Sequence, residues 1–285
     1  MQKLVAEIES LPVTPNVFES IERELKNADP SIKKVAEYIS MDVGLVAKIL
    51  KLVNSPYFGL PTQIDSILQT ITMLGLESVK ALILSTHLFS MYDQKKLPNF
   101  SLNLLWEHSF RVSNIVRLIC ECEKIDKTLA VQARMAGLLH DIGKLVLANS
   151  FPAQYGKVIK KVAEIHLPIC DCEMEVLGTT HAHIGAYLMG LWGMPGDIVH
   201  AIGTHHQYEG FDMSVSMLLR IADAIDHQCV IINPDYVRIK LDRNIFSDGQ
   251  HGLPLEKWIN YINDHWEGMD EFQVLDADML TQLRS

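Results

Sequence analysis

Apolar residues recur every three or four positions along nearly all of this chain, and nowhere does apolar alternate with polar for the roughly four to eight residues of a half-buried strand. Val17, Phe18, Ile21 and Leu25 form one such stripe. Ile64, Ile67, Leu68, Ile71 and Leu74 form another, stopped by Gly75. A helix with one apolar stripe buries it only against another element, and with no strand predicted that element is another helix. The expected fold class is therefore all-α, a helical bundle. At 285 residues the chain is long enough for one or two such cores.

Proline, glycine and Asn-Ser punctuation cuts the first third into five short helices ending near Met91. Thr14, between Pro12 and Pro15, suits a cap. Asp29-Pro30 opens a helix through Ile39, Met41-Asp42-Val43-Gly44 separates it from the next, and Asn54-Ser55-Pro56 ends that one, with Tyr57-Phe58-Gly59 as a turn. The polar run Tyr92 to Phe100 then reads as a linker. It sets the expected organisation, a small N-terminal helical lobe over 1–95 and a larger bundle over 96–285.

Within the bundle, Ser101 or Asn103 caps a helix to Glu121, and Asp126 opens one running through His140-Asp141 to about Ala148. Thr179 or Thr180 begins a helix bearing His181 and His183, and Pro195 begins one that ends at His205-His206. Met213 to Val230 follows, with Arg220, Asp223 and Asp226 at steps of three. From Pro254 two amphipathic helices carry Trp258, Ile259, Ile262 and Trp266, then Met279, Leu280 and Leu283. Asn233 to Gly252 shows no assignable pattern.

Composition narrows the function classes. Twenty-five basic against 35 acidic residues give a formal charge of −10, which opposes attraction to a nucleic-acid backbone. The short helices of the N-terminal lobe would also suit a helix-turn-helix reader, and this charge argues against it. No run approaches the roughly 18 apolar residues of a membrane span, and the first residues lack an export signal, so a cytoplasmic protein with no membrane partner is expected. The five cysteines include two Cys-x-Cys pairs, Cys120/Cys122 and Cys170/Cys172. Positions i and i+2 do not share a helix face, so reduced, packing cysteines are expected.

The chemistry gathers around Gly137-Leu138-Leu139-His140-Asp141-Ile142-Gly143-Lys144. Adjacent helical residues point about 100° apart, so His140 and Asp141 suit two metal ions better than one, with Asp141 bridging and Lys144 facing the same space. Further on the predicted helices stand His108, His183, His205, His206 and Asp223. Imidazole and carboxylate form the donor set of first-row transition metals. Five imidazoles and two carboxylates exceed the needs of one tetrahedral ion and fit a two-metal centre, with iron or manganese first and nickel or zinc of overlapping preference. A single histidine at a helix end is ordinarily a cap or a packed core group, and His87, His166, His200, His227, His251 and His265 are read that way. His181 could replace His183 or hydrogen-bond behind it. Arg111 and Arg220 could hold phosphate oxygens or pair with acidic neighbours.

Leu11-Pro12-Val13-Thr14-Pro15, Met41-Asp42-Val43-Gly44-Leu45, Asn54-Ser55-Pro56-Tyr57-Phe58-Gly59 and Leu74-Gly75 resemble the HDOD family of bacterial signalling proteins, and the match runs on to about His206. The second half is similar to the catalytic region of the HD-GYP cyclic-dinucleotide phosphodiesterases. The resemblance implies an HD-domain-like bundle. It implies metal ligands at His108, His140, Asp141, His183, His205, His206 and Asp223, with Lys144 and Asp141 as catalytic residues. It also implies hydrolysis of a phosphomonoester or phosphodiester, with a small phosphorylated or nucleotide ligand and signalling proteins as partners. The family's Gly-Tyr-Pro loop is replaced by Gln207-Tyr208-Glu209-Gly210-Phe211, and its extra glutamate falls on Leu104. Those departures argue against cyclic-di-GMP and for two metals over three. They keep open a competing reading, a non-catalytic signalling or scaffold module with a structural or vestigial metal.

Overall fold

The structure is a computed structural model that describes residues 16–54, 62–91, 100–165, 167–207, 212–229 and 254–266, with 95 and 97 besides. The described residues form helices joined by turns and contain no strand, as the periodicity requires. The chain divides into two compact units, 2–92 and 93–285. No single helix among the described residues is long and apolar enough to cross a membrane.

The smaller unit holds α1 (Asn16–Leu25), α2 (Ile32–Ser40), α3 (Val43–Val53), α4 (Ile67–Leu74) and α5 (Leu76–Met91). Ser31, Asp42 and Ser66 cap α2, α3 and α4, each accepting from the amide three residues on. Pro30 thus precedes the cap of α2 and does not occupy its first turn. Phe18, Ile21, Val35, Ile39, Ile49, Val53, Ile67, Ile71 and Leu82 are buried between these helices. Asn54 closes the loop after α3 from both sides: its amide nitrogen donates to the Ile64 carbonyl and its oxygen accepts the Ile64 N–H, both at 2.7 Å. The rest of the Asn54–Gly59 turn lies outside the described residues, as do Leu11–Pro15, Tyr208–Phe211 and the last predicted helix.

The larger unit holds α6 (Leu102–Glu123), α7 (Lys127–Leu139), α8 (Ile142–Ser150), α9 (Pro152–Ile165), α10 (Ile169–Leu177), α11 (His181–Leu191), α12 (Gly196–Thr204), α13 (Val215–Cys229) and α14 (Leu255–His265). Ser101 caps α6 in preference to Asn103, and Thr180 caps α11 in preference to Thr179. α6 packs on α7, α13 and α14, while α11 packs on α8 and α12.

Two of these crossings need glycine. A Cβ on Gly137 of α7 would press to 3.0 Å on Ser113 Cα of α6. One on Gly143 of α8 would overlap the His181 carbonyl, closing to 2.7 Å on its carbon. Gly143 therefore lets the start of α11 lie directly against the start of α8, and both starts carry candidate ligands.

Candidate metal centre

His140 and Asp141 do not sit inside a helix. α7 stops at Leu139 and α8 begins at Ile142, so the expected continuous helix from Asp126 to Ala148 is broken at the pair. The cause is local. The His140 ring donates Nδ1–H to the Gly137 carbonyl at 2.8 Å, the acceptor that the Asp141 amide would use in an unbroken helix. His205 repeats the arrangement at the end of α12, donating Nδ1–H to the Ile202 carbonyl at 2.7 Å.

Carboxylates hold two other rings. His108 on α6 gives its Nδ1–H to Asp226 of α13 at 2.7 Å, and Arg111 grips the same carboxylate through Nε and Nη2 at 2.6 and 3.0 Å. His181, first residue of α11, gives its Nδ1–H and its backbone N–H to Glu173 Oε2 at 2.7 and 2.8 Å, while Tyr155 donates to Glu173 Oε1 at 3.1 Å. Carbonyls and carboxylates only accept, so all four Nδ1 atoms carry the proton and all four Nε2 atoms face inward.

There they meet two carboxylates. Asp141 Oδ2 lies 3.5 and 3.6 Å from Nε2 of His108 and His140, and Asp223 Oδ1 lies 3.2 and 3.6 Å from the same two atoms. Asp141 Oδ1 faces the other way, 3.2 Å from His181 Nε2 and 3.9 Å from His205 Nε2. His206 completes that side with its Nε2 3.0 Å from His181 Nε2. Lys144 donates to Asp141 Oδ2 at 2.6 Å. Asp141 thus offers one oxygen to each half of the cluster.

The donor set fits cations. Asp141 Oδ1 and Asp223 Oδ1 are buried with no hydrogen-bond partner, which is costly for a carboxylate oxygen unless a charge meets it. Donors around an ion bound at about 2.0–2.3 Å lie roughly 3–4 Å apart, the spacing found here. Without ions, protons carry the balance. Burial opposes ionisation of Asp141, yet Lys144, His140 and His181 hold its pKa well below the usual carboxylate range. Burial likewise opposes the His181 imidazolium, and Glu173 still lifts its pKa well above the ordinary value. Burial, then His140 and His181, push His205 down to about 3.

Of the predicted ligands, His108, His140, Asp141, His205, His206 and Asp223 come together, and His183 does not. His183 is exposed, and its backbone N–H merely bonds the Thr180 cap at 3.3 Å. Residues two apart on a helix point about 200° apart, so the turn that buries His181 expels His183. His181 takes the place assigned to His183.

Arg111 is committed to Asp226, and Arg220 is buried with Nη1 on the Gln207 carbonyl at 3.3 Å. Sequence reasoning gave no role to Glu173, the buried one of three acids on α10, or to Asp226, which stands one turn after Asp223 on α13. It also missed His227, whose Nε2 lies 3.3 Å from Asp223 Oδ1 one turn earlier on α13.

The HDOD domain model matches residues 11–208. This chain belongs to the HDOD domain family. An uncharacterised protein of Treponema pallidum is 29% identical over 205 residues, covering 70% of this HDOD chain and 38% of that protein. Ribonuclease Y of Deinococcus radiodurans is 30% identical over 127 residues, 45% of this chain and 17% of that enzyme. The chain therefore spans well under half the length of these curated relatives. An HDOD domain protein of unknown function from Geobacter sulfurreducens superposes with a TM-score of 0.65 at 22% identity, over 99% of this chain and 94% of that one. A Shewanella amazonensis protein, provisionally named a phosphohydrolase, superposes with a TM-score of 0.67 at 24% identity, over 98% and 97%. Both likenesses establish the fold.

Proposed function

We propose that this HDOD protein is a metal-dependent phosphohydrolase acting on a small phosphomonoester or phosphodiester of nucleotide type. One observation carries the reading. Four imidazoles, each with Nδ1 committed to an acceptor, turn Nε2 on two buried carboxylates, and Asp141 has an oxygen toward each half. In this reading His108, His140, Asp141 and Asp223 hold one divalent ion, and Asp141, His181, His205 and His206 hold a second. Iron or manganese suits the set first, nickel or zinc next. When bound, such a pair supplies Lewis acidity and activates water near neutral pH.

The chain's own residues do the rest. Asp141 keeps the two halves in register. Asp226 with Arg111, and Glu173 with Tyr155, hold the rings of His108 and His181 against rotation. Lys144 is buried beside Asp141 and offers its ammonium to the charge that develops on phosphate oxygens. His206 is exposed, so ligand enters on its side. At −10 overall the protein repels long polyanions, which favours a small substrate, and the partial likeness to ribonuclease Y keeps phosphodiesters in the class. Signalling proteins are the partners that suit the family.

The absence of a Gly-Tyr-Pro loop after His206 favours a second reading, a non-catalytic signalling module with a structural metal. Protein loaded anaerobically with iron, manganese or nickel should release phosphate from an aryl phosphate or cleave cyclic dinucleotides. Asp141→Ala should abolish turnover and lower metal content together. No turnover from a protein carrying two metals per chain moves the assignment to the second reading. Turnover surviving Asp141→Ala overturns the site.

A further inference from the structure

Among the ligands proposed for the first ion, Asp223 is held differently from the rest. Asp226 fixes the ring of His108, the Gly137 carbonyl fixes His140, and Lys144 fixes Asp141. Asp223 Oδ1 is buried without a hydrogen bond. His227 Nε2 stands 3.3 Å from it, and the His227 ring lies tilted by 36° against the His108 ring with centroids 4.9 Å apart. Steps of three and four residues put Asp223, Asp226 and His227 on one face of α13, so one helix meets His108 with two carboxylates and a ring. His227 is not itself placed as a donor to the ion. The donor groups whose ligand atoms lie within 4.8 Å of one another join Asp223 to His108 and His140, and also to His205 and His206, and among the described residues none of these groups includes His227.

We propose that His227 is a positioning residue that commits Asp223 to the first ion. Asp223 is within reach of donors on both sides of the centre, so something has to decide which ion it serves. His227 does so from α13 itself. Its ring, seated against His108, limits rotation of both imidazoles, and its Nε2 lies close enough to hydrogen-bond Oδ1. A carboxylate oxygen has lone pairs for a metal and a donor together, and donors behind ligating carboxylates tune metal affinity. A donor at that place keeps the carboxylate beside His108 and His140 and away from the His205–His206 side. The proposal rests on the two-ion assignment made above and on no step of hydrolysis.

Manganese titration of full-length, metal-free protein reads the two ions apart, because His205→Ala leaves the first and His108→Ala leaves the second. Adding His227→Ala should weaken manganese binding by about tenfold or more in the His205→Ala protein, and by less than about threefold in the His108→Ala protein. General loss of packing would not give that contrast. His227→Gln, whose amide can also donate to Oδ1, should recover most of the lost affinity. His227→Phe, which keeps a ring against His108 without a donor, should not. Unchanged affinity for the first ion, equal weakening of both ions, or a glutamine variant as weak as the alanine one overturns the proposal. His205→Ala protein that binds no manganese refutes the two-ion assignment, and the proposal with it. No readout needs turnover, so a protein that holds two ions and hydrolyses nothing still decides the role of His227.

Discussion

The Nε2 atoms of His108 and His140 face each other across 3.1 Å. Both rings have given their Nδ1 proton outward, to Asp226 and to the Gly137 carbonyl, so two lone pairs meet unless a proton or a cation lies between them. A cation bound there removes that repulsion only in the folded chain. Ligands of the native state alone stabilise it by mass action, about 2.7 kcal/mol at a hundred times Kd. Chelation should therefore lower the thermal midpoint by several degrees, and manganese or iron should restore it. An unchanged midpoint after verified metal removal would count against the centre.

Metal content separates the two halves and tests the correction at His183. His108→Ala should cut bound metal from about two per chain to about one, and His205→Ala should do the same from the other side. His181→Ala should lose metal, whereas the exposed His183→Ala should keep the full complement. Metal analysis per chain reads all four, and loss of an ion in His183→Ala would reinstate that residue.

Lys144 touches the Asp141 carboxylate without belonging to either proposed donor set. A lost charge-assisted contact to a transition state is worth about 2–4 kcal/mol, so Lys144→Ala should slow turnover by about two to three powers of ten with both metals retained. Comparing kcat with metal content in the same preparation tests this. Metal lost in proportion to rate would make Lys144 a structural partner of Asp141.

Gly143→Ala is the smallest change aimed at the scaffold. Its methyl would overlap the His181 carbonyl, and backbone cannot swing aside as a side-chain tip can. Overpacking of this kind costs about 1–3 kcal/mol, and the displacement should weaken the second metal more than the first, because α11 carries His181. Denaturant unfolding and a metal titration would show it, and a variant as stable as wild type would mean that α8 and α11 adjust freely.

Glu123 ties α14 to α6, accepting from Trp258 Nε1 at 2.6 Å and from Lys257 Nζ at 2.9 Å. The Lys257 hydrogen bond, against a smaller opposing effect of burial, lowers its pKa in the folded protein. A folded pKa below the unfolded one stabilises fully above the unfolded value, near 4.3, and that contribution is lost as pH falls through the folded value. Wild type should exceed Glu123→Ala in stability at pH 7, and the gap should shrink towards pH 3. Urea unfolding at both pH values checks this, and a gap that widens in acid would reverse the assigned sign.

Local chemistry made the helical class and most of the candidate donors legible in the sequence, because a three-to-four-residue period and a residue's ligating atoms need no knowledge of the rest of the chain. His108, His140, Asp141 and Asp223 could be named for that reason. Which of His181 and His183 turns inward could not, since each is two residues from the other on one helix. The Thr180 cap and the close seat of α11 against Gly143 settle that phase. Nor could the sequence anticipate a helix break at Leu139, which follows from His140 taking the Gly137 carbonyl. The engagement of Arg111, Asp226 and Glu173 belongs to the tertiary structure too. Arg111 and Asp226 are 115 residues apart, and only packing of α6 on α13 decides that a guanidinium steadies an imidazole there.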